Sequence, residues 1–242
     1  MTVLDPLAVP LERVLGPEVG GVYRDLHADH GTRLLLGTGV AAFEGGAAVE
    51  RVRTADGRLL ECDFVVVGVG AEPRTELAAG AGLEVRDGIV VDAQLRTRAP
   101  GVFAAGDVAN AHHPFYGEAI RVEHWANALE QGPAAARGML GRAEPYERLP
   151  YFFSDQYDAG MEYTGFTRAW DRVVFRGDPA SREFVAFYMV EDRVVAGINV
   201  NVWDVAEPIQ RLIRSRAAVD DRRLADTDVP LEQLAPAERS PA

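Results

Sequence analysis

The stretch Thr97-Arg98-Ala99-Pro100-Gly101-Val102-Phe103-Ala104-Ala105-Gly106-Asp107 decides how this chain is read. It predicts a polar loop, a short apolar strand over residues 102–105, and a Gly-Asp pair at the carboxyl end of that strand. Open α/β sheets bind ligands in the crevice beyond the carboxyl ends of their strands. A glycine there lets a ligand approach the backbone, and the carboxylate after it accepts hydrogen bonds from ligand hydroxyls. The competing role for Asp107 is an N-cap on the following turn.

Upstream of this stretch, residues 2–5 predict a strand ending on Asp5, followed by a turn carrying Pro6 and Pro10. A helix over residues 18–29 follows from Val19, Val22, Tyr23 and Leu26 falling on one face, with Gly31 placed as its C-cap. Residues 33–36 are the next strand. Residues 48–54 and 58–62 flank Asp56-Gly57 as a hairpin. The continuous apolar run 64–67 predicts a strand buried on both faces. Asp87-Gly88 marks a turn between residues 83–85 and 89–91.

Downstream, a polar loop leads to a helix over residues 123–140, which Gly132-Pro133 should bend or interrupt. Residues 141–150 form the best linker. Beyond them, residues 173–175, 184–190 and 194–202 predict antiparallel strands, the last two joined at Glu191-Asp192. A helix over residues 205–214 follows, with Asp204 and Glu207 spaced as a capping box. After Leu224 the chain is polar and proline-bearing, which predicts a disordered tail over residues 225–242.

With 242 residues, 48% hydrophobic and 26% charged, the composition is that of a globular chain of one or two domains. No window approaches the roughly 18 apolar residues of a membrane span, and no secretory leader pattern opens the sequence. A single cysteine, Cys62, excludes an internal disulfide and a cysteine-based zinc site, and fits a cytoplasmic location. The net charge of −12 argues against a nucleic-acid partner. Against that acidity, Arg211, Arg214, Arg216, Arg222 and Arg223 cluster near the carboxyl end, where a solvated helix face is the ordinary reading.

Several residues have a plain structural role beside a functional one. Asp5 serves a strand-end turn. Glu123 favours a helix amino terminus through the dipole. Trp125 belongs equally to a core, and His112-His113, with no supporting ligand spacing, to a polar loop. No G-x-G-x-x-G fingerprint is present: Gly37-Thr38-Gly39 runs into a strand, and Gly68-Val69-Gly70 is followed by Ala71-Glu72-Pro73.

The pattern T-x-x-P-x-V-F-A-x-G-D over residues 97–107 resembles a flavin-contacting motif of the FAD-dependent pyridine nucleotide-disulphide oxidoreductases. Further matches point to the ferredoxin reductase branch. Val65-Val66-Val67-Gly68-Val69-Gly70-Ala71-Glu72-Pro73 resembles the strand and turn that leave the NAD domain. Arg121-Val122-Glu123-His124-Trp125-Ala126-Asn127-Ala128 with Gln131-Gly132 resembles the helix facing the flavin ring. Pro150-Tyr151-Phe152-Phe153-Ser154-Asp155-Gln156 resembles the aromatic segment at the ring edge, with Phe153 where the family often has Trp.

The resemblance implies an α/β fold: a truncated flavoprotein with two dinucleotide-binding domains, followed by an α+β carboxyl-terminal domain with an antiparallel sheet. Residues 1–72 would complete an NAD-binding domain and 73–145 an FAD-binding domain, with 146–224 the carboxyl-terminal domain. Met1 would fall after both fingerprints. For FAD, the resemblance implies Gly106 and Asp107 at the ribityl chain, Glu123, His124 and Trp125 toward the pyrimidine end, and Phe153 at the ring edge. For NAD(P)H it implies Asp5 at the adenosine ribose and Gly68, Val69 and Gly70 beside the nicotinamide. The implied reaction takes hydride from NADH to flavin and passes single electrons to an iron–sulfur ferredoxin, with a homodimer as the candidate assembly; complementary charge makes Arg211, Arg214 and Arg216 the candidate docking group for an acidic ferredoxin, beside their ordinary reading as a solvated helix face. The alternative is a non-catalytic fragment or association module that does not bind FAD independently.

Overall fold

A computed structural model describes residues 1–235. The chain divides into two compact units, Met1–Gly70 and the chain from Ala71 onward.

In the first unit, β1 (Thr2–Asp5) and β2 (Arg33–Leu36) pair in parallel across α1 (Glu12–Asp29). The helix starts earlier than expected, but Gly16 leaves helical geometry at φ 74° and Pro17 restarts it, so the regular part agrees with the apolar spacing. Leu15, Val19, Tyr23 and Leu26 are buried. Past the helix, the Gly31 and Thr32 N–H groups donate to the Ala28 and His27 carbonyls. An antiparallel sheet follows, β3 (Val40–Glu44), β4 (Arg51–Thr54) and β5 (Leu59–Glu61), with Asp56-Gly57 at the predicted turn.

The run 64–67 is not the buried strand its composition predicts. It carries no strand pairing among the described residues, and Phe64, Val66 and Val67 are exposed. A strand covered on both faces needs flanking strands and layers above and below. The parallel sheet of this unit has only β1 and β2.

The second unit opens with α2 (Glu76–Gly80) and a sheet of β6 (Ile89–Val91), β7 (Ala109–His113) and β8 (Glu118–Arg121). Residues 102–105 form no strand. One bridge, Arg96 to Phe103, and the Ala104 N–H donating to the Leu95 carbonyl fold them into a tight loop. His112 and His113 lie in β7 rather than in a polar loop, because pairing with β6 and β8 draws the segment inside. The His113 ring is buried and hydrogen-bonds the Arg148 carbonyl through Nε2 at 2.9 Å. Helix α3 (Trp125–Met139) runs through Pro133 without a break in its helical assignment. Its buried Asn127, Gln131 and Ala135 anchor it, so the loss of one backbone donor is tolerated. The expected linker is ordered: the Tyr146 N–H donates to the Ala93 carbonyl at 2.7 Å, and Leu149 is buried.

The carboxyl-terminal sheet has the order β11-β12-β13-β10-β9, all antiparallel, from β9 (Tyr151–Gln156), β10 (Ala159–Gly165), β11 (Arg172–Asp178), β12 (Glu183–Val190) and β13 (Arg193–Val200). Val185, Phe187 and Met189 point to one face, where Ile209, Leu212 and Ile213 of α4 (Ala206–Ser215) and Leu224 of α5 (Asp221–Ala225) cover them. The capping box does not form. Val205 is the N-cap, Asp204 sits at φ 62°, and Glu207 pairs with Arg211 at 2.6 Å instead.

Residues 226–235, expected to be unpacked, close the same core: Leu231 and Leu234 are buried in it. The Arg176 guanidinium fastens the segment by donating to the Asp226, Thr227 and Val229 carbonyls. Three leucines from Leu224 onward supply the apolar area that a merely polar reading overlooks. The rest of the expected tail, 236–242, lies outside the described residues.

Candidate functional site

Gly106 and Asp107 open a 3₁₀ turn, Gly106–Val108, that leads into β7. Gly106 adopts φ +77°, and a Cβ there would sit 3.5 Å from the Ala128 side chain. Its N–H donates to Gln131 Oε1 at 2.8 Å in a buried bond. The turn is therefore clamped onto the first half of α3. The Asp107 side chain is exposed, and its carboxylate makes no hydrogen bond among the described residues. It is not the N-cap of its turn.

Arg121 organises the neighbouring charges. Its side chain is 14% exposed, and it donates to Asp87 Oδ1 at 3.0 Å, Glu123 Oε1 at 2.5 Å and the Asp107 carbonyl at 3.2 Å. Gly88 makes room for it: at φ +108° a Cβ would lie 2.9 Å from Arg121 Cδ and 2.6 Å from the Val108 carbonyl oxygen. The Glu123 carboxylate is thus committed to Arg121.

His124 is the N-cap of α3 in extended conformation, with no side-chain cap on the helix. The N–H groups of the first turn are therefore left without a side-chain partner, the partial positive charge that favours anions. The His124 ring packs at 4.8 Å, tilted by 51°, against Phe152 of β9, and its buried Nδ1 has no partner among the described residues. Burial pushes the His124 pKa below the usual imidazole value, and the Asp107 and Glu123 carboxylates act in the opposite direction. Trp125 and Phe153 are both more than half exposed and meet edge to face at 6.5 Å. Trp125 also lines an open groove of about 510 Å³ with Asn127, Glu130, Tyr146, Arg148 and Arg214.

The structure thus gathers Gly106, Asp107, Glu123, His124, Trp125 and Phe153 around the amino terminus of α3. The donor set fits FAD. A free carboxylate suits hydroxyls, uncapped N–H groups suit an anionic ring edge, two exposed aromatic rings suit a flat heterocycle, and the orphaned His124 Nδ1 offers one further polar contact. Arg121 and Gln131 stand in the stretch that carries the resemblance, but their role in holding the turn and helix together does not show there, because the partners Asp87 and Gly106 lie 34 and 25 residues away.

The four residues expected at NAD(P)H lie in the first unit and are not joined by any hydrogen bond or strand pairing among the described residues. Asp5 performs the turn role: Oδ1 accepts the Leu7 N–H at 2.8 Å. Gly68, Val69 and Gly70 lie in the exposed segment that follows the unpaired apolar run. The arginines near the carboxyl end are partly used internally. Arg214 donates to the Glu147 carbonyl and Arg216 to the Phe115 carbonyl, with both guanidinium groups against the Phe115 ring.

Both buried imidazoles make stability pH-dependent. Burial, the larger influence, lowers the His113 pKa, while the Arg148 hydrogen bond opposes it. With folded pKa values below the unfolded 6.5, the unfolded chain binds more protons as pH falls. Stability is therefore full above about pH 7 and declines below it, by up to about 1.4 kcal/mol per pH unit per histidine. Urea melts between pH 7.5 and 5 should show the decline, and His113→Asn should reduce its slope. An unchanged slope would remove His113 from the account.

Residues 1–132 match the family described as pyridine nucleotide-disulphide oxidoreductase, and residues 151–235 match the reductase C-terminal family. The chain is 36% identical over 237 residues to putidaredoxin reductase CamA of Pseudomonas putida, covering 97% of this chain and 56% of that protein. It is 39% identical to the ferredoxin–NAD(+) reductase component of the anthranilate 1,2-dioxygenase system of Burkholderia cepacia, covering 96% of this chain and 57% of that protein. The crystal structure of the covalent putidaredoxin reductase–putidaredoxin complex aligns with TM-score 0.90 at 37% identity, covering 96% of this chain and 57% of that one. The chain thus spans little more than half the length of the relatives it matches. No helix among the described residues is long and apolar enough to cross a membrane. With its α/β units, its antiparallel carboxyl-terminal sheet and these matches, the chain belongs to the pyridine nucleotide-disulphide oxidoreductase family.

Proposed function

We propose that this chain forms the ribityl and ring-edge part of the FAD site in an NAD(P)H reductase that delivers electrons to an iron–sulfur ferredoxin. The observation that carries the reading is the Gly106-Asp107 turn clamped to α3 by Gln131, with an unengaged carboxylate beside an uncapped helix terminus. FAD, when bound, supplies the conversion of a two-electron hydride donor into single-electron delivery. The protein's part is orientation and exclusion of water. Asp107 accepts from ribityl hydroxyls, the first turn of α3 faces the electron-rich ring edge, and Trp125 and Phe153 cover the ring. His124, kept neutral by burial, offers a hydrogen bond without adding charge. Residues 1–72 serve the pyridine nucleotide, with Asp5 and Gly68–Gly70 as its contacts, 73–145 serve FAD, and 146–224 form the carboxyl-terminal domain.

The test is FAD titration of the purified chain, followed by flavin fluorescence quenching and by NADH oxidation with a dye acceptor. Stoichiometric quenching with dye reduction is expected if the chain carries enough of both sites. A folded, colourless chain that binds no FAD favours the second reading, a module that does not bind FAD independently. The exposed run ending at Val69 is the observation favouring that alternative.

Ferredoxin docking follows from charge. A similar reductase forms a covalent complex with putidaredoxin, and Arg211, Arg214 and Arg216 are the basic group on α4 and its end. Replacing all three with Gln should lower the association rate with an acidic ferredoxin about tenfold at low salt and flatten its salt dependence. Surface-plasmon measurements at several ionic strengths check this, and identical salt slopes would rule the cluster out.

A further inference from the structure

The two ring nitrogens of His124 differ in their surroundings. Nδ1 is sealed inside and has no partner among the described residues. Nε2 is neither sealed nor hydrogen-bonded to a described residue, so it is the nitrogen that reaches solvent. We propose that His124 carries a redox-linked proton at the flavin. Its imidazole is neutral while the flavin is oxidised, takes up one proton at Nε2 as negative charge builds on the ring, and releases it as the electrons leave. The inference rests on the FAD reading of this site and adds to it a residue that compensates charge.

The surroundings hold this imidazole near its balance point. Burial favours the neutral ring, with Phe152 of β9 at 4.8 Å and Tyr163 of β10 stacked behind Phe152 at 4.9 Å. The partial positive charge at the amino terminus of α3 acts the same way. Two carboxylates oppose them, Asp107 from the turn before β7 and the neighbouring Glu123. The nearby cation, Arg121 of β8, is engaged by Glu123 and Asp87. Burial keeps the Tyr163 phenol neutral by raising its pKa. One further negative charge tips this balance. At about 6 Å and an effective dielectric near 20 it raises a pKa by about two units, enough to bring a lowered imidazole back across neutral pH.

Atoms and charge balance. Hydride from a nicotinamide carries two electrons, so the flavin ring gains one hydrogen and one negative charge. The compensating proton comes from water and forms the Nε2–H bond of His124. When two one-electron acceptors take the electrons, the added hydrogen leaves the ring as a proton, and Nε2 returns its own to water. Nδ1, cut off from solvent, keeps the same hydrogen throughout.

NMR of the full chain, carrying isotope-labelled histidine and titrated with FAD, tests the proposal. In the oxidised state the His124 ring should stay neutral down to about pH 6. After anaerobic reduction with dithionite its titration should move up by about two pH units, while that of buried His113 should not move. His124→Gln identifies the His124 signals by their loss, and His124→Thr does so if glutamine disturbs the fold. Potentiometric titration gives a second readout. Near pH 7 the parent chain should take up as much as one proton more per electron pair than either variant. The same protonation of His124 in both redox states overturns the proposal, and so does an equal proton count in parent and variants. FAD binding with either of those results spares the reading of the site. A chain that quenches no FAD fluorescence fails that reading, and the proposal falls with it.

Discussion

Phe187→Ala should destabilise the second unit by about 3–5 kcal/mol, the usual cost of deleting a buried phenylalanine from a close-packed core. Phe187 has no exposed surface and lies on β12, the second strand of the five-stranded sheet, opposite Gly197 of β13. Ile209 of α4 packs so closely on Gly197 that an added Cβ would lie 2.7 Å from it, so the helix cannot sink into the vacated volume. A cavity therefore persists, and relaxation recovers little. Against a typical domain stability of about 5–15 kcal/mol, this is a large fraction of the total. All three tryptophans, Trp125, Trp170 and Trp203, belong to the second unit, so their fluorescence follows its unfolding alone. With a slope near 2 kcal/mol/M, the urea midpoint should fall by roughly 1.5–2.5 M. Phe153→Ala, at a half-exposed ring, should shift it little. A fall below about 0.5 M for Phe187→Ala would mean that the sheet and helix are not packed as described.

Local pattern accounts for much of the architecture. The strands Thr2–Asp5 and Arg33–Leu36, the Asp56-Gly57 hairpin and the antiparallel strands beyond residue 172 all follow from apolar periodicity and turn residues that act within a few positions. The failures have a common physical origin. Residues 64–67 satisfy every local requirement for a buried strand, yet strand formation depends on neighbours that no local pattern supplies. The short run 102–105 likewise bridges only residue 96 and becomes a loop. His112 and His113 look polar in isolation, but pairing with β8 and the Arg148 carbonyl accommodate His113 inside. Leu231 and Leu234 are sparse in a polar stretch, and their burial depends on Arg176, fifty or so residues earlier, holding the backbone in place.

The positions grouped at the amino terminus of α3 are legible in the sequence, but the way they are held together is not. The resemblance points to Gly106, Asp107, Glu123, His124, Trp125 and Phe153, and in the structure these lie around the amino terminus of α3. The Gln131 clamp on Gly106 and the Arg121 contact with Asp87 join residues 25 and 34 positions apart, too far for spacing to reveal. Asp5 spends one carboxylate oxygen on its own turn, the plain role that its position at a strand end suggested.

Asp107→Ala should weaken FAD binding by roughly 10- to 150-fold, the loss expected when a charged acceptor worth about 1.5–3 kcal/mol is removed from ligand hydroxyls. The same change should leave the urea midpoint unaltered, because the carboxylate holds no other group of the chain among the described residues; only its backbone carbonyl is engaged, by Arg121. This separation of binding from folding distinguishes Asp107 from Glu123, whose carboxylate is tied to the same arginine. Asp107→Asn keeps an acceptor without the charge and should fall between the two. Flavin fluorescence quenching gives the dissociation constants. Equal affinity in Asp107→Ala and the parent chain would show that the Gly106-Asp107 turn shapes the backbone near α3 without contacting the ribityl chain. A drop in both affinity and stability would instead place Asp107 with Glu123, as a structural partner of Arg121.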